Sequence, residues 1–261
     1  MHKKLLTLAV AVAVLATMAA SPAVADEMAL DKTLGEVLAA HFETIGGEDA
    51  WRAIQHITMS GTMSLAQMGI EAPFTMRFKS PNMFRMEFVI QGMTGVQAYD
   101  GETVWQVMPF MGTSEPEALS GEIAEQMSEQ ADVNPFLDWE DKGYQLELVG
   151  KEEVEGTEAY KVKLTRVSGN VRYYYLDSEY FLPFKVEGKT TFQGQEVDSS
   201  TIMGDYKEVG DVVFAHSLEI QGGPAAPPQV LTINSIDLET EIPASAFDME
   251  AEKATAEPAE G

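Results

Sequence analysis

Side chains that could do catalytic chemistry are sparse in this sequence. The 261-residue chain contains four histidines and no cysteine, and His41, His56 and His216 are scattered along it. It has no Gly-x-Ser-x-Gly elbow, no His-Glu-x-x-His motif and no phosphate-binding glycine loop. Acidic pairs such as Glu152-Glu153 are typical of a solvated surface. These residue types predict a protein that is not an enzyme and that holds no cofactor or metal.

Methionine is the residue type that stands out instead. Ten of the 15 methionines lie between Met59 and Met127, often in register with phenylalanine. Methionine is flexible and polarizable, so it packs well against ligands of variable shape. Two interpretations stay open at this point: an apolar cavity that accepts cargo, or an ordinary filled core.

The elements that position these residues begin with an amphipathic helix. Apolar residues at helical spacing predict a helix over residues 30–45, ended by Gly46-Gly47, with a short second turn at residues 50–54. From Ile57 onward the apolar residues alternate with polar ones, which predicts strands.

A second helix is predicted in the middle of the chain. Ser114-Glu115-Pro116-Glu117 has the form of a capping box with proline in the first turn, and apolar residues follow at helical spacing up to residue 131. We interpret this helix as a lid, because turn-rich apolar segments flank it on both sides. The lid residues are predicted to be Leu119, Ile123 and Met127.

Both ends of the chain are predicted to lie outside the folded domain. Residues 1–25 resemble a secretory signal peptide, with a basic start, an apolar run too short to span a bilayer, and the small residues Ala23-Val24-Ala25. Residues 250–261 are rich in alanine and glutamate, which predicts a disordered acidic tail. The domain itself is predicted to span residues 26–249.

The net charge of −25 restricts the partners of the protein. Such a charge repels nucleic acid and anionic membranes, and it favours partners with basic surfaces. With no cysteine there is no site for a lipid anchor. We therefore expect an exported protein of the periplasm that is neither lipid-anchored nor stably inserted in a membrane.

One stretch resembles a known family. Lys79-x-Pro81-Asn82-x-Phe84 is followed by Asp100-Gly101-x-Thr103-x-Trp105 and then by Pro109-Phe110. This pattern is similar to that of the LolA/LolB-like superfamily of lipid-binding half-barrels. The resemblance is specific over residues 74–110 and weaker toward the end of the chain.

The resemblance and the strand pattern together predict the fold. We expect an α+β protein in which one strongly curved antiparallel sheet of about ten to twelve strands wraps, as a half-barrel, around the N-terminal helix and the lid helix. The residues predicted to line its concave face are Met59, Met63, Phe74, Met76, Phe78, Phe84, Met86, Phe88 and Trp105. The strand pattern leaves open which face is concave, since a shift of one residue would exchange the two sets.

The chain departs from the family at one position. In LolA-like carriers an arginine directly before the Pro-Asn pair is tied to closing the lid, and this sequence has Ser80 there. A serine hydroxyl lacks the forked donors of a guanidinium. Ser80 therefore marks a latch position at which this chain departs from the family.

Three functional hypotheses follow. The first is a soluble periplasmic carrier that binds the acyl chains of lipoproteins or free lipids for transport toward the outer membrane, between membrane-anchored donor and acceptor proteins. The second is a LolA-like interaction or envelope-assembly module with a filled core and no lipid cargo. A hydrolase comes third, because it would need a titratable group inside the cavity.

Overall fold

Thirteen strands form a single antiparallel sheet in the computed structural model, which describes residues 30–65, 69–192, 195–222 and 228–256. The sheet is open, and its spatial order is β6-β5-β4-β3-β2-β1-β13-β12-β11-β10-β9-β8-β7. The predicted α+β architecture with one large antiparallel sheet is confirmed, with 13 strands rather than ten to twelve. The strands are β1 (His56–Leu65), β2 (Ile70–Lys79), β3 (Met83–Ile90), β4 (Met93–Tyr99), β5 (Val104–Met108), β6 (Thr113–Ala118), β7 (Gln145–Val154), β8 (Thr157–Thr165), β9 (Val171–Asp177), β10 (Pro183–Phe192), β11 (Gln195–Val209), β12 (Val212–Gln221) and β13 (Gln229–Asp237).

The strand alternation gives the sheet one face that is buried against helices. We call this the inner face and the opposite side the outer face. In β1 every second residue is buried, from Ile57 to Leu65. Cross-strand pairing keeps this phase, since Met59 pairs with Met76 and Met76 pairs with Met86. The predicted alternation of β1 to β3 is therefore correct.

Two short helices, α1 (Leu34–Thr44) and α2 (Glu48–Ala53), pack against the inner face. α1 starts later than predicted because Thr33 and Glu36 form a reciprocal capping box. Gly46 follows with φ +105°, and a Cβ there would meet the Asp211 carbonyl oxygen at 1.9 Å. Only glycine allows this approach, which brings the Ile45 carbonyl within hydrogen-bonding distance of strand β12.

The segment of residues 119–144, which we call the strap, joins the two edge strands of the sheet. Because β6 and β7 are consecutive in sequence but lie at opposite edges, the strap has to cross from one side of the sheet to the other. It contains α3 (Gly121–Ser128), which contacts both β5 and β10, and a 3-10 turn at Glu129–Ala131.

The lid helix predicted over residues 115–131 is only partly correct. Residues 113–118 form edge strand β6 instead of the first turn of a helix, and β6 pairs with β5 through Trp105 and Ala118. Pro116, which predicts the first turn of a helix, is also tolerated in an edge strand. The same residues are therefore compatible with β6. The helix itself is confined to Gly121–Ser128.

The C-terminal segment also differs from the prediction. Residues 250–256, predicted to be disordered, belong to helix α4 (Met249–Ala256). The Asp248 carboxylate accepts hydrogen bonds from the Glu250 and Ala251 backbone N–H groups, which caps the helix start. Residues 1–29, which include the predicted signal peptide, and residues 257–261 lie outside the described part of the chain. None of the described helices is long and apolar enough to cross a membrane.

Candidate binding cavity

A cavity of about 420 Å³ lies between the inner face, the two N-terminal helices and the strap. A volume of this size is typical of pockets for small ligands. Its lining is largely apolar, and the strands that contribute to it come from both halves of the sheet. Its lining residues include His41, Trp51, Met59, Met76, Phe78, Phe84, Asp132, Phe136, Tyr174, Met203, Tyr206, Phe214, Leu218 and Leu231.

Four of the nine predicted lining residues border this cavity. They are Met59, Met76, Phe78 and Phe84. Phe78 and Phe84 lie opposite each other on β2 and β3, with ring centroids 5.2 Å apart. Met59 and Met76 are neighbours on β1 and β2, so the four side chains form one continuous patch of the wall.

Four other predicted residues belong to the same apolar core without bordering the cavity. Met63, Phe74 and Phe88 are buried, and Met86 is half-buried against them. The Phe88 ring packs against Phe110 at 5.7 Å. This end of the inner face is filled by side chains of the protein.

The prediction for Trp105 is wrong. Trp105 is fully buried, but in a separate cluster with Val96, Ala98 and Val107 on the outer face. Strand pairing decides which face Trp105 occupies. Tyr99 pairs with Phe84 of the inner face and with Val104, so Val104 and not Trp105 lies on the inner side of β5.

The predicted lid residues have three different environments. Met127 is buried, Ile123 is 52% exposed, and Leu119 precedes the helix, where its backbone N–H bonds to the Val104 carbonyl. The part of the strap that covers the cavity is the segment of residues 130–136. The sequence signal for it is Asn134-Pro135-Phe136, which belongs to the turn-rich apolar segment on the C-terminal side of the predicted lid.

A buried polar cluster fixes the strap to the hairpin between β8 and β9. The Arg166 guanidinium, with its side chain 8% exposed, lies 3.4 Å from the Asp132 carboxylate and 3.6 Å from that of Glu129. It also donates to the Tyr144 hydroxyl at 2.9 Å, and Asn170 donates to Glu129 at 2.8 Å. Burial raises the pKa of Tyr144 to about 12. These contacts join residues more than 20 positions apart, so no local sequence pattern indicates them.

Lys142 connects two parts of the strap to each other. Its ammonium group donates to the Asp132 carboxylate at 2.7 Å and to the Asn134 carbonyl at 2.9 Å. Among the described residues, Asp132 is the only one with a carboxylate that lines the cavity, and this carboxylate lies between the cations of Lys142 and Arg166.

Ser80 occupies the position of the family's latch arginine. It borders a second cavity of about 420 Å³ that adjoins the first. The two cavities share Trp51, Phe78 and residues 132–134 of the strap. The Ser80 backbone N–H bonds to the Gln55 carbonyl, and its exposed hydroxyl makes no hydrogen bond to a described residue. The strap is thus held by Arg166 and Lys142, with no contribution from the Ser80 side chain.

His41 is the ionisable group on the α1 side of the cavity. Its Nδ1 lies 2.8 Å from the Phe181 carbonyl oxygen, and its ring contacts Phe136 of the strap edge-on at 5.4 Å. Burial lowers the pKa of His41, so the imidazole is neutral at pH 7.

Two tyrosines add hydroxyl groups to the wall. The Tyr206 hydroxyl donates to the Pro183 carbonyl, and burial raises the pKa of both Tyr206 and Tyr174. Neither tyrosine is therefore ionised at neutral pH. Within the described ranges, no three His, Asp or Glu side chains are grouped so that they could hold a metal ion.

Comparison with known proteins supports the fold. A DUF1329 family protein from Desulfovibrio piger matches with a TM-score of 0.56 at 15% identity, over 82% of this chain and 98% of its own. A LolA superfamily protein from Nitrosomonas europaea matches with a TM-score of 0.56 at 13% identity, over 83% and 98%. A putative outer membrane lipoprotein-sorting protein domain from Vibrio parahaemolyticus matches with a TM-score of 0.53 at 15% identity, over 84% and 97%.

This chain therefore has a LolA-like fold, as its sequence pattern predicts. Sequence comparison finds no matching protein family and no matching curated protein. At these identities the structural likeness concerns the fold alone.

Proposed function

We propose that this protein is a periplasmic carrier that holds an acyl chain of a lipoprotein or lipid in the inner-face cavity. The observation that carries the proposal is an apolar cavity of about 420 Å³ that the protein's own side chains leave unfilled. Burial of an acyl chain contributes about 0.8 kcal/mol per methylene, so a cavity of this kind binds lipid without any catalytic group. The lipoprotein-sorting domain of similar fold supports the same role.

The strap gives such a carrier a way to take up and release cargo. It covers the cavity through residues 130–136, and its residues Glu129 and Asp132 are held by charged and polar groups around Arg166. When a segment moves, water can replace the hydrogen bonds of its polar groups. A strap held only by apolar side chains would have to expose those side chains to water when it opens. We propose that donor and acceptor proteins with basic surfaces act on this strap, since the chain carries a net charge of −25.

The first test is native mass spectrometry with lipid extraction on protein purified from an envelope fraction without detergent. A bound mass of lipid or acylated peptide is the expected result. An apo mass, repeated after incubation with lipids and lipopeptides, would favour the alternative of an interaction module without cargo.

A charged residue in the wall gives the matching variant test. Phe78 is half-buried where the two cavities meet, so Phe78→Glu can reach water while it charges the wall. We expect Phe78→Glu to weaken acyl-chain binding at least tenfold without unfolding the protein. Met111→Glu, at a residue 77% exposed outside the cavity, serves as the control and should bind as the wild type does. Equal binding by both variants would place the cargo elsewhere.

A further inference from the structure

The tautomer of His41 is fixed by its surroundings. A backbone carbonyl oxygen only accepts hydrogen bonds, so the Nδ1 atom 2.8 Å from the Phe181 carbonyl must carry the ring proton. The other ring nitrogen, Nε2, then presents a lone pair and acts as an acceptor. Among the described residues, no side chain or backbone N–H donates to Nε2.

This unpartnered acceptor belongs to a side chain that lines the cavity. His41 is 4% exposed, and the rings around it are those of Phe42 and Phe136, at 5.3 and 5.4 Å. The Nε2 atom itself is not closed off from water, so a cargo that displaces this water has to supply the hydrogen bond that the water made. The rings of Phe42 and Phe136 offer no donor, so water or a group of the cargo supplies it.

We infer that His41 Nε2 accepts a hydrogen bond from a hydroxyl or amide N–H group of the cargo, which makes His41 a residue that selects the cargo's head group. This inference rests on the proposed carrier function. The favoured ligands are neutral acyl or alkyl compounds that carry a donor, such as fatty alcohols, monoacylglycerols and N-acyl amides. Ethers have no proton to donate. The carboxylate of an ionised fatty acid only accepts hydrogen bonds, so it has no favourable contact with the lone pair of Nε2.

His216 provides a matched control within the same chain. Its Nδ1 lies 2.9 Å from the Ile233 carbonyl oxygen, which matches the Nδ1 contact of His41, but its Nε2 is fully enclosed by protein and has no partner. His216 does not line the cavity. The substitutions His41→Phe and His216→Phe therefore remove the same kind of side chain, but only the first removes an acceptor from the cavity wall.

The experiment is isothermal titration calorimetry at neutral pH with dodecan-1-ol and its methyl ether, which share one chain length and differ in the donor. The wild type should bind the alcohol about tenfold more tightly than the ether. His41→Phe should abolish this preference, and His216→Phe should retain it. The comparison of the two ligands on the wild type needs no variant, so it stands even if a variant misfolds.

Two contrary results have different meanings. Equal affinity of the wild type for alcohol and ether, or loss of the preference in both variants, would overturn the role of His41 while leaving the carrier intact. Binding of neither ligand, together with an apo mass after lipid incubation, would overturn the carrier proposal and this inference with it.

Discussion

The two faces of the first half of the sheet solve the same packing problem in opposite ways. On the outer face, Trp105 is fully buried because the C-terminal segment covers it, and its indole N–H donates to the Phe247 carbonyl at 2.8 Å. On the inner face, Met59, Met76 and Phe78 border a cavity instead. One side is filled by the protein's own chain, and the other leaves room for a ligand.

The difference shows which apolar residues serve stability and which are available for binding. The outer cluster is closed by Phe247 and by an ion pair of 3.0 Å between Arg85 and Glu252 of α4. The inner cavity is closed by the strap, whose anchor is the polar cluster around Arg166. Large-to-small substitutions should therefore be costly on the outer side and mild at the cavity wall.

The largest expected effect separates the two faces directly. Trp105→Ala should lower the free energy of unfolding by about 3 to 5 kcal/mol, because it empties a closed cluster and leaves the Phe247 carbonyl without its donor. Phe78→Ala should cost less than half as much, since its ring is half-buried beside space that already exists. Urea denaturation of both variants measures this difference, and equal losses would mean that the inner face is as closed as the outer one.

The sequence predicts the inner face well where strands pair without interruption. Phe74, Met76 and Phe78 lie at every second position of β2, and they pair with Phe88, Met86 and Phe84 on β3. Once the face of one of these residues is known, all six are placed on that face. Trp105 was misplaced because the phase does not carry across the turn after Tyr99. A period of two gives the faces of one strand, but the turn decides how the next strand is phased.

Features that depend on distant parts of the chain could not be predicted in this way. The Arg166 cluster joins Glu129 and Asp132 of the strap to a hairpin that lies more than 30 residues after them. The helix α4 has little apolar character, and what holds it is Phe247 before it together with the pairing of Arg85 and Glu252. Local composition predicted disorder there because it contains no information about this tertiary partner.

The next effect tests the strap. Arg166→Gln should destabilise the protein by about 3 kcal/mol, because the largely buried carboxylates of Glu129 and Asp132 lose a cation. Hydrogen exchange of residues 129–136 should increase more than exchange of the outer cluster, since the strap opens without unfolding the sheet.

Arg52→Gln is the matched control for the strap. Arg52 also pairs with a strap carboxylate, Asp138, but its side chain is 42% exposed. Water screens this pair, so the substitution should leave exchange in the strap nearly unchanged. An equal increase of exchange in both variants would contradict a special role for the buried cluster.

The smallest effect is a pH dependence that distinguishes the two faces. Burial lowers the pKa of His41, on the inner side, from its ordinary value of 6.5. The unfolded chain therefore binds a proton that the folded protein does not, and stability falls as the pH drops below about 6.5, by at most about 1.4 kcal/mol per pH unit. On the outer side, burial opposes the charge of Glu87, but Arg77 and Arg85 lower its pKa below 4.5 overall. Its contribution is present above pH 4.5 and is lost only at lower pH.

Acid should therefore weaken the inner side before the outer side. Urea denaturation between pH 5 and 6.5 should show a slope in the wild type that is reduced in His41→Phe, because the substituted ring has no proton to bind. Glu87→Gln is the control, and it should keep the wild-type slope in this range, because Glu87 does not titrate there. If His41→Phe retains the full slope, another group on the inner side binds the proton, and the neutral imidazole is not what makes the cavity sensitive to acid.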